Sequence, residues 1–244
     1  MMETCSAVII GVGPEAGLGA TLAKYFSQKG LHVYIAGRHQ QRLECLVDVI
    51  HQFGGVATAI VADATVEHDV KCLFDKLQQR GAQIVIAVYN VDGNRSSSIL
   101  DTSTDDFTML WQQNCLGAFF FGKEAVKAMM QQGRGTLFFT GATASLRAKP
   151  PFTAFASAKF ALRALAQGMA REFGPQGIHV VHTIIDGVID GERAKTQFPD
   201  IVHAKGSGGL LQLNAIAETY WAIHQQHPST WTHELDLRPF KEGF

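Results

Sequence analysis

The feature that most narrows the possible folds of this chain is a repeated alternation of strand-length apolar runs with helix-length segments. Residues 7–12, 31–36, 56–61, 84–88, 136–140 and 178–185 read as strands. Helices are expected over 18–28, 41–53, from about 66 to 79, and over 107–130, 154–172 and about 214–224. Strands separated by helices of this length imply parallel pairing through right-handed crossovers. Several strands are apolar at nearly every position, as in a sheet covered on both faces. The expected architecture is one doubly wound α/β domain spanning 1–244, without a linker or internal repeat.

The formal charge is −1, from 21 Lys and Arg against 22 Asp and Glu. That balance supplies no electrostatic footprint for nucleic acid or for an anionic membrane surface. No basic leader precedes a long apolar segment, because Val8-Ile9-Ile10 runs at once into glycine. A cytoplasmic protein is the expectation. Cys5, Cys45, Cys72 and Cys115 lie far apart with no CxxC spacing, so disulfides are not expected. The ten histidines include no HExxH, and His179 and His182 fall inside an expected strand. No metal site is expected.

The first strand runs into Gly11-Val12-Gly13-Pro14-Glu15-Ala16-Gly17-Leu18-Gly19 and then a helix. Glycines let such a turn reach positive φ and bring backbone N–H groups and a helix N-terminus close to a pyrophosphate. A tight turn without a ligand would also use glycine; the strand–turn–helix context favours the nucleotide. The second strand ends in Ala36-Gly37-Arg38-His39, with no carboxylate to hold a ribose diol. Arg38 can instead pair with a 2′-phosphate and stack beside adenine, so NADP(H) is preferred over NAD(H). The alternative for Arg38 is a solvated charge leading the next helix.

The spacing Gly13-x-x-x-Gly17-x-Gly19, read with Phe155-Ala156-Ser157-Ala158-Lys159, resembles the short-chain dehydrogenase/reductase family over nearly the whole chain. The second stretch is similar to the family's Tyr-x-x-x-Lys signature, with Phe155 in the tyrosine place. The resemblance implies a single Rossmann domain whose cofactor is held by Gly13, Gly17, Leu18, Gly19, Arg38, Asp63, Asn90 and Lys159. Asp63 takes the acidic position that contacts the adenine amino group, although an aspartate there also serves as an N-cap or turn residue. Tyr89-Asn90-Val91-Asp92 resembles the family's Asn-Asn-Ala-Gly segment. Asn90 matches the second asparagine, whereas Tyr89, Val91 and Asp92 depart from the pattern. Asn90 can equally fasten backbone at a bend, which is compatible with the family role.

In the family, tyrosine donates or accepts the proton, and lysine lowers its pKa and binds the nicotinamide ribose. Serine polarises the substrate oxygen, and a helix asparagine holds a water in the proton relay. Carried over by motif, Asn114 and Lys159 are the candidate catalytic residues. Phe155 replaces the tyrosine, and Ala142, 13 residues earlier, replaces the serine. A phenyl ring cannot exchange a proton, and losing a positioned acid–base group costs about 10²–10⁴-fold. Thr140, Thr143 and Ser145 are candidates to hydrogen-bond a carbonyl, and Tyr89 is a candidate substitute donor. Asp186 stands where the family has proline, either to bind a polar substrate or the carboxamide side, or to cap the following turn.

The resemblance implies hydride transfer with an unknown carbonyl, alcohol or activated double bond as small-molecule substrate. The alternatives are a non-catalytic NADP(H)-binding sensor and a structural homo-oligomer. The resemblance also implies a homodimer or homotetramer through the helices containing Asn114 and Lys159, and Phe119-Phe120-Phe121 offers apolar surface compatible with it. Residues 189–211, with Lys205-Gly206-Ser207-Gly208-Gly209, read as a flexible loop, either a plain connector or a substrate lid. The tail from Trp231 to Phe240 resembles that of one bacterial branch of the family, which implies that Trp231-Thr232 opens a final edge strand; completing the core or a partner interface is the alternative.

Overall fold

Strand β1 (Cys5–Ile10) shows why the sheet must be covered on both faces. Ala7 and Ile9 enter one apolar cluster and Val8 and Ile10 enter another, as side-chain alternation along a strand requires. The computed structural model describes residues 5–243. The sheet continues with β2 (His32–Gly37), β3 (Val56–Val61), β4 (Gln83–Tyr89), β5 (Gly135–Ala142), β6 (Ile178–Ile185) and β7 (Glu234–Leu237). Their spatial order is β3-β2-β1-β4-β5-β6-β7, with every pair parallel. This is the expected doubly wound Rossmann-type arrangement.

One face is covered by α1 (Leu18–Gln28), α2 (Gln40–Gln52) and α9 (Leu213–His224), which bring Phe26, Leu46 and Tyr220 to the cluster around Ile9. The opposite face is covered by α3 (Glu67–Gln79), α5 (Gly117–Met130) and α6 (Thr153–Phe173), which bring Leu73, Phe121 and Leu162 to the cluster around Ile10. The strand order reverses at β1, which has β2 on one side and β4 on the other. The crevice beyond the carboxyl ends of β1 and β4 is where open sheets of this kind bind ligands.

Three expectations change. The helix expected over 107–130 starts earlier and is interrupted. Its first part, α4 (Thr104–Trp111), is capped by Ser103 Oγ, which accepts from the Asp106 N–H at 3.0 Å. A π-helical turn at Gln112–Leu116 then separates it from α5. The Tyr89 hydroxyl donates to the Gln113 carbonyl inside that turn at 2.6 Å. A Cβ on Gly117 would come 2.5 Å from the same hydroxyl, so the helix widens against a polar partner from the sheet.

Residues 189–211 carry regular structure within the expected loop. They contain α7 (Glu192–Gln197), α8 (Pro199–Lys205) and a parallel bridge between Ile189 and Leu211. The break expected at the glycines is present, with Gly206 at φ 60° ending α8. The last edge strand begins at Glu234 rather than Trp231, whose ring stacks on His179 with centroids 4.6 Å apart. The four cysteines are free, and none is fully buried.

Candidate active site

The glycine-rich turn owes its path to Gly11. Its φ is 91°, and a Cβ there would lie 2.6 Å from the Asn90 carbonyl carbon, so only glycine lets the exits of β1 and β4 touch. Asn90 Nδ2 donates to the Gly11 carbonyl at 3.3 Å, which is the backbone-fastening role. Gly19 packs under this junction, whereas the Cα of Gly13 faces open space. Gly17 is the N-cap of α1, with no side-chain cap and no acidic residue in the first turn. The N-terminus of α1 therefore offers backbone donors and a positive dipole end to an anion. Leu18 is buried and anchors that first turn in the core.

Arg38 is exposed directly after β2, beside this turn. Asp63 follows β3 and is occupied locally, because its Oδ1 accepts from both the N–H (2.9 Å) and the hydroxyl (2.7 Å) of Thr65. That is the turn role weighed for it from sequence. The start of α7 meets the glycine-rich turn, where the Glu192 N–H donates to the Ala16 carbonyl at 2.9 Å.

Beyond β4 and β5 the structure brings Asn114, Lys159 and Phe155 into one neighbourhood. Asn114 is fully buried in the π turn. Its Nδ2 donates to the carbonyls of Leu110 (2.9 Å) and Gly93 (3.0 Å), tying the turn to the loop after β4. Its Oδ1 is buried with no hydrogen-bond partner among the described residues, an acceptor available to a water or ligand. Ala154, Ala156 and Ala158 are buried in the first half of α6. Lys159 reaches the Thr140 carbonyl with its Nζ at 3.1 Å and is 1 % exposed, unlike a surface lysine snorkelling to water.

The Lys159 ammonium lies 5.6 Å from the centroid of the Phe155 ring. It is paired at 3.5 Å with Asp92 Oδ1, and Arg193 of α7 holds the other Asp92 oxygen at 2.9 Å while also reaching Asn94. Burial pulls the Lys159 amine below the ordinary lysine range; Asp92 opposes that shift and Arg193 reinforces it.

The remaining polar candidates are engaged elsewhere. Tyr89 is fully buried, with its hydroxyl on Gln113, and burial pushes its pKa well up. Thr140 Oγ1 pairs with the Tyr220 hydroxyl at 3.0 Å, and Ser145 Oγ accepts from the Ala142 N–H at 3.2 Å. Asp186 neither lies free for a substrate nor caps a turn. It is buried, accepts from Thr143 Oγ1 at 2.6 Å, and is gripped by Arg147 (2.9 and 3.0 Å) and by Arg238 from the C-terminal tail.

Sequence reasoning placed Lys159 and Asn114 but missed Asp92 as a counter-ion and Arg193 as its second partner. The usable signal was Asp92 itself, an acid in a segment where the resemblance expects glycine. A groove of about 300 Å³ lies away from this chemistry, between α1 and the start of α9, lined by residues that include Lys24, Asp190 and Asn214. Among the described residues no cluster of metal-ligating side chains is present, and no helix is long and apolar enough to cross a membrane.

The profile of a family described as short chain dehydrogenase matches residues 7–201. The crystal structure of a short-chain dehydrogenase from Rhodopseudomonas palustris is 36 % identical, with a TM-score of 0.82 over 97 % of this chain and 99 % of that one. An uncharacterized oxidoreductase of Staphylococcus aureus is 25 % identical over 234 residues, covering 96 % of each chain. A short-chain dehydrogenase/reductase of Armillaria gallica is 29 % identical over 176 residues, 71 % of this chain and 67 % of its own.

Proposed function

The chain belongs to the short-chain dehydrogenase family, and from that premise we propose that it is an NADP(H)-dependent oxidoreductase acting on a carbonyl, an alcohol or an activated double bond. The observation that carries the reading is the uncapped N-terminus of α1 behind the open Gly13, with exposed Arg38 at the next strand end. In this reading Gly13, Gly17, Leu18 and Gly19 shape the pyrophosphate site, and Arg38 takes the 2′-phosphate. Asp63 and Asn90 frame the adenine and nicotinamide halves, and Lys159 holds the nicotinamide ribose. Bound there, the nicotinamide supplies or accepts hydride at C4. Asn114, through its unpartnered Oδ1, places a water between the buried lysine and solvent.

Phe155 and Ala142 stand in the tyrosine and serine places of the family, so the site lacks its usual donors to the reacting oxygen. That substitution favours a second reading, a nucleotide-binding sensor without turnover. An oligomer through α4, α5 and α6 is part of the proposal, supported by exposed Phe107, Trp111, Phe119 and Phe160, as is a cytoplasmic location.

Calorimetry with NADPH and NADH, on wild type and Arg38→Asp, tests the cofactor assignment. Wild type is expected to prefer NADPH, and the variant to lose NADPH affinity by about tenfold or more while NADH changes little. Equal weakening of both removes Arg38 from the phosphate site. A carbonyl panel in the same preparation separates enzyme from sensor.

A further inference from the structure

With a phenyl ring at 155 and a methyl group at 142, the reacting end needs another proton source. The nearby hydroxyls are engaged: Tyr89 donates to Gln113 at 2.6 Å, Thr143 to Asp186 at 2.6 Å, and Ser157 to the Ala154 carbonyl at 2.7 Å. Thr140 is paired with Tyr220 at 3.0 Å, and Ser145 Oγ is held by the Ala142 N–H at 3.2 Å. The charged group over the Phe155 ring is Lys159, 5.6 Å from its centroid. An ammonium has three N–H donors; one goes to Thr140 at 3.1 Å and one faces Asp92 at 3.5 Å, which leaves a third.

We propose that Lys159 is itself the proton donor of this site in the reducing direction and the acceptor in the oxidising one, with Asp92 as the positioning residue that keeps its ammonium charged over Phe155. The inference rests on the oxidoreductase reading above. In reduction, an Nζ–H bond breaks and its proton passes to the substrate oxygen. The C=O π pair becomes the new O–H bond as the carbon receives hydride from a reduced nicotinamide. Lys159 is left as a neutral amine and regains a proton from solvent, so alcohol and oxidised nicotinamide are the products.

Three elements bring charge or a titratable group to the amine. The loop after β4 supplies Asp92, α7 supplies Arg193, and β6 supplies His182. His182 is held neutral by burial, its pKa lowered to about 4, and shares Nδ1 with Glu234, which Arg163 also grips. Asp92 is thus the anion that opposes desolvation of the lysine, and Arg193 tunes it from α7. Burial, which lowers the Lys159 pKa, favours release of its proton in the acid step.

The test uses the full chain as wild type, Lys159→Arg and Asp92→Asn. NMR of protein labelled at lysine Cε follows the Lys159 titration, assigned by its loss in Lys159→Arg. NADPH calorimetry and the pH dependence of carbonyl reduction complete the set. Lys159 is expected to titrate below the surface lysines, and lower still in Asp92→Asn. The reduction rate should fall as pH rises through that titration, with the falling limb displaced to lower pH in Asp92→Asn. At saturating NADPH, with its affinity read separately by calorimetry, Lys159→Arg should lose about 10²-fold or more in turnover. Wild-type turnover that Lys159→Arg retains with the same pH profile overturns the donor role and leaves the oxidoreductase reading standing, as does a Lys159 that titrates with the surface lysines. A wild type that fails to bind NADPH, or binds it and reduces no carbonyl, brings down the oxidoreductase reading and the donor role together.

Discussion

Tyr89 Oη and the Gln113 carbonyl oxygen are 2.6 Å apart, a hydrogen bond that fastens the end of β4 to the π turn carrying Asn114. Tyr89→Phe removes that hydrogen bond, at a cost of about 0.5–1.5 kcal/mol. The expected outcome is a melting temperature lower by several degrees, with NADPH binding kept within a few-fold, read by thermal unfolding and calorimetry. Abolished turnover at unchanged stability would instead return Tyr89 to the list of proton donors.

Gly11 and Gly13 are two residues apart and should respond oppositely to alanine. At Gly11 the φ of 91° and the 2.6 Å approach to Asn90 make Gly11→Ala strain the β1–β4 junction, costing about 1–3 kcal/mol or more. At Gly13 there is open space, so Gly13→Ala should leave stability within about 0.5 kcal/mol. The added methyl group would sit in the proposed pyrophosphate space, and NADPH affinity should drop about tenfold or more. Equal effects of the two variants on stability and on binding would contradict this division.

Acid should destabilise the fold through two histidines. Burial lowers both His182 and His224 from 6.5 to about 4. Above pH 6.5 both are neutral, folded or unfolded, and the stability is fully present. Between 6.5 and 4 the unfolded chain takes up protons that the folded one refuses, so stability falls with pH, by up to about 3 kcal/mol for each histidine. His224→Gln, which can keep a hydrogen bond to Thr136, should make the slope of unfolding free energy against pH shallower in this window. An unchanged slope would mean that His224 does not titrate as described.

The order and type of the elements were legible because each apolar run and each helical segment carries its own periodicity. The break between α4 and α5 was not, since its cause is a hydroxyl 24 residues upstream at Tyr89. Lys159 and Asn114 could be singled out by their match to the family's motifs. The ion-pair partner of Lys159 could not: Asp92 is on another loop, and its own partner Arg193 is 101 residues further along. Asp186 was visible as an oddity at the exit of β6, yet its arginines lie 39 residues before it and 52 after it. Local pattern finds elements; ion pairs between distant segments emerge only once the sheet has assembled.

The grip of Arg147 and Arg238 on Asp186 bears on the timing of folding during synthesis. Arg238 follows β7, the edge strand added last, and β7 lies beside β6, made some fifty residues earlier. A nascent chain that has produced everything through α9 can already align β1 to β6. The buried carboxylate of Asp186 must meanwhile rely on Arg147 and Thr143 alone. The wall at the exit of β6 is therefore completed only once residues 234–238 have left the ribosome, and stalled or prematurely terminated chains should remain open at that edge and vulnerable to proteases there.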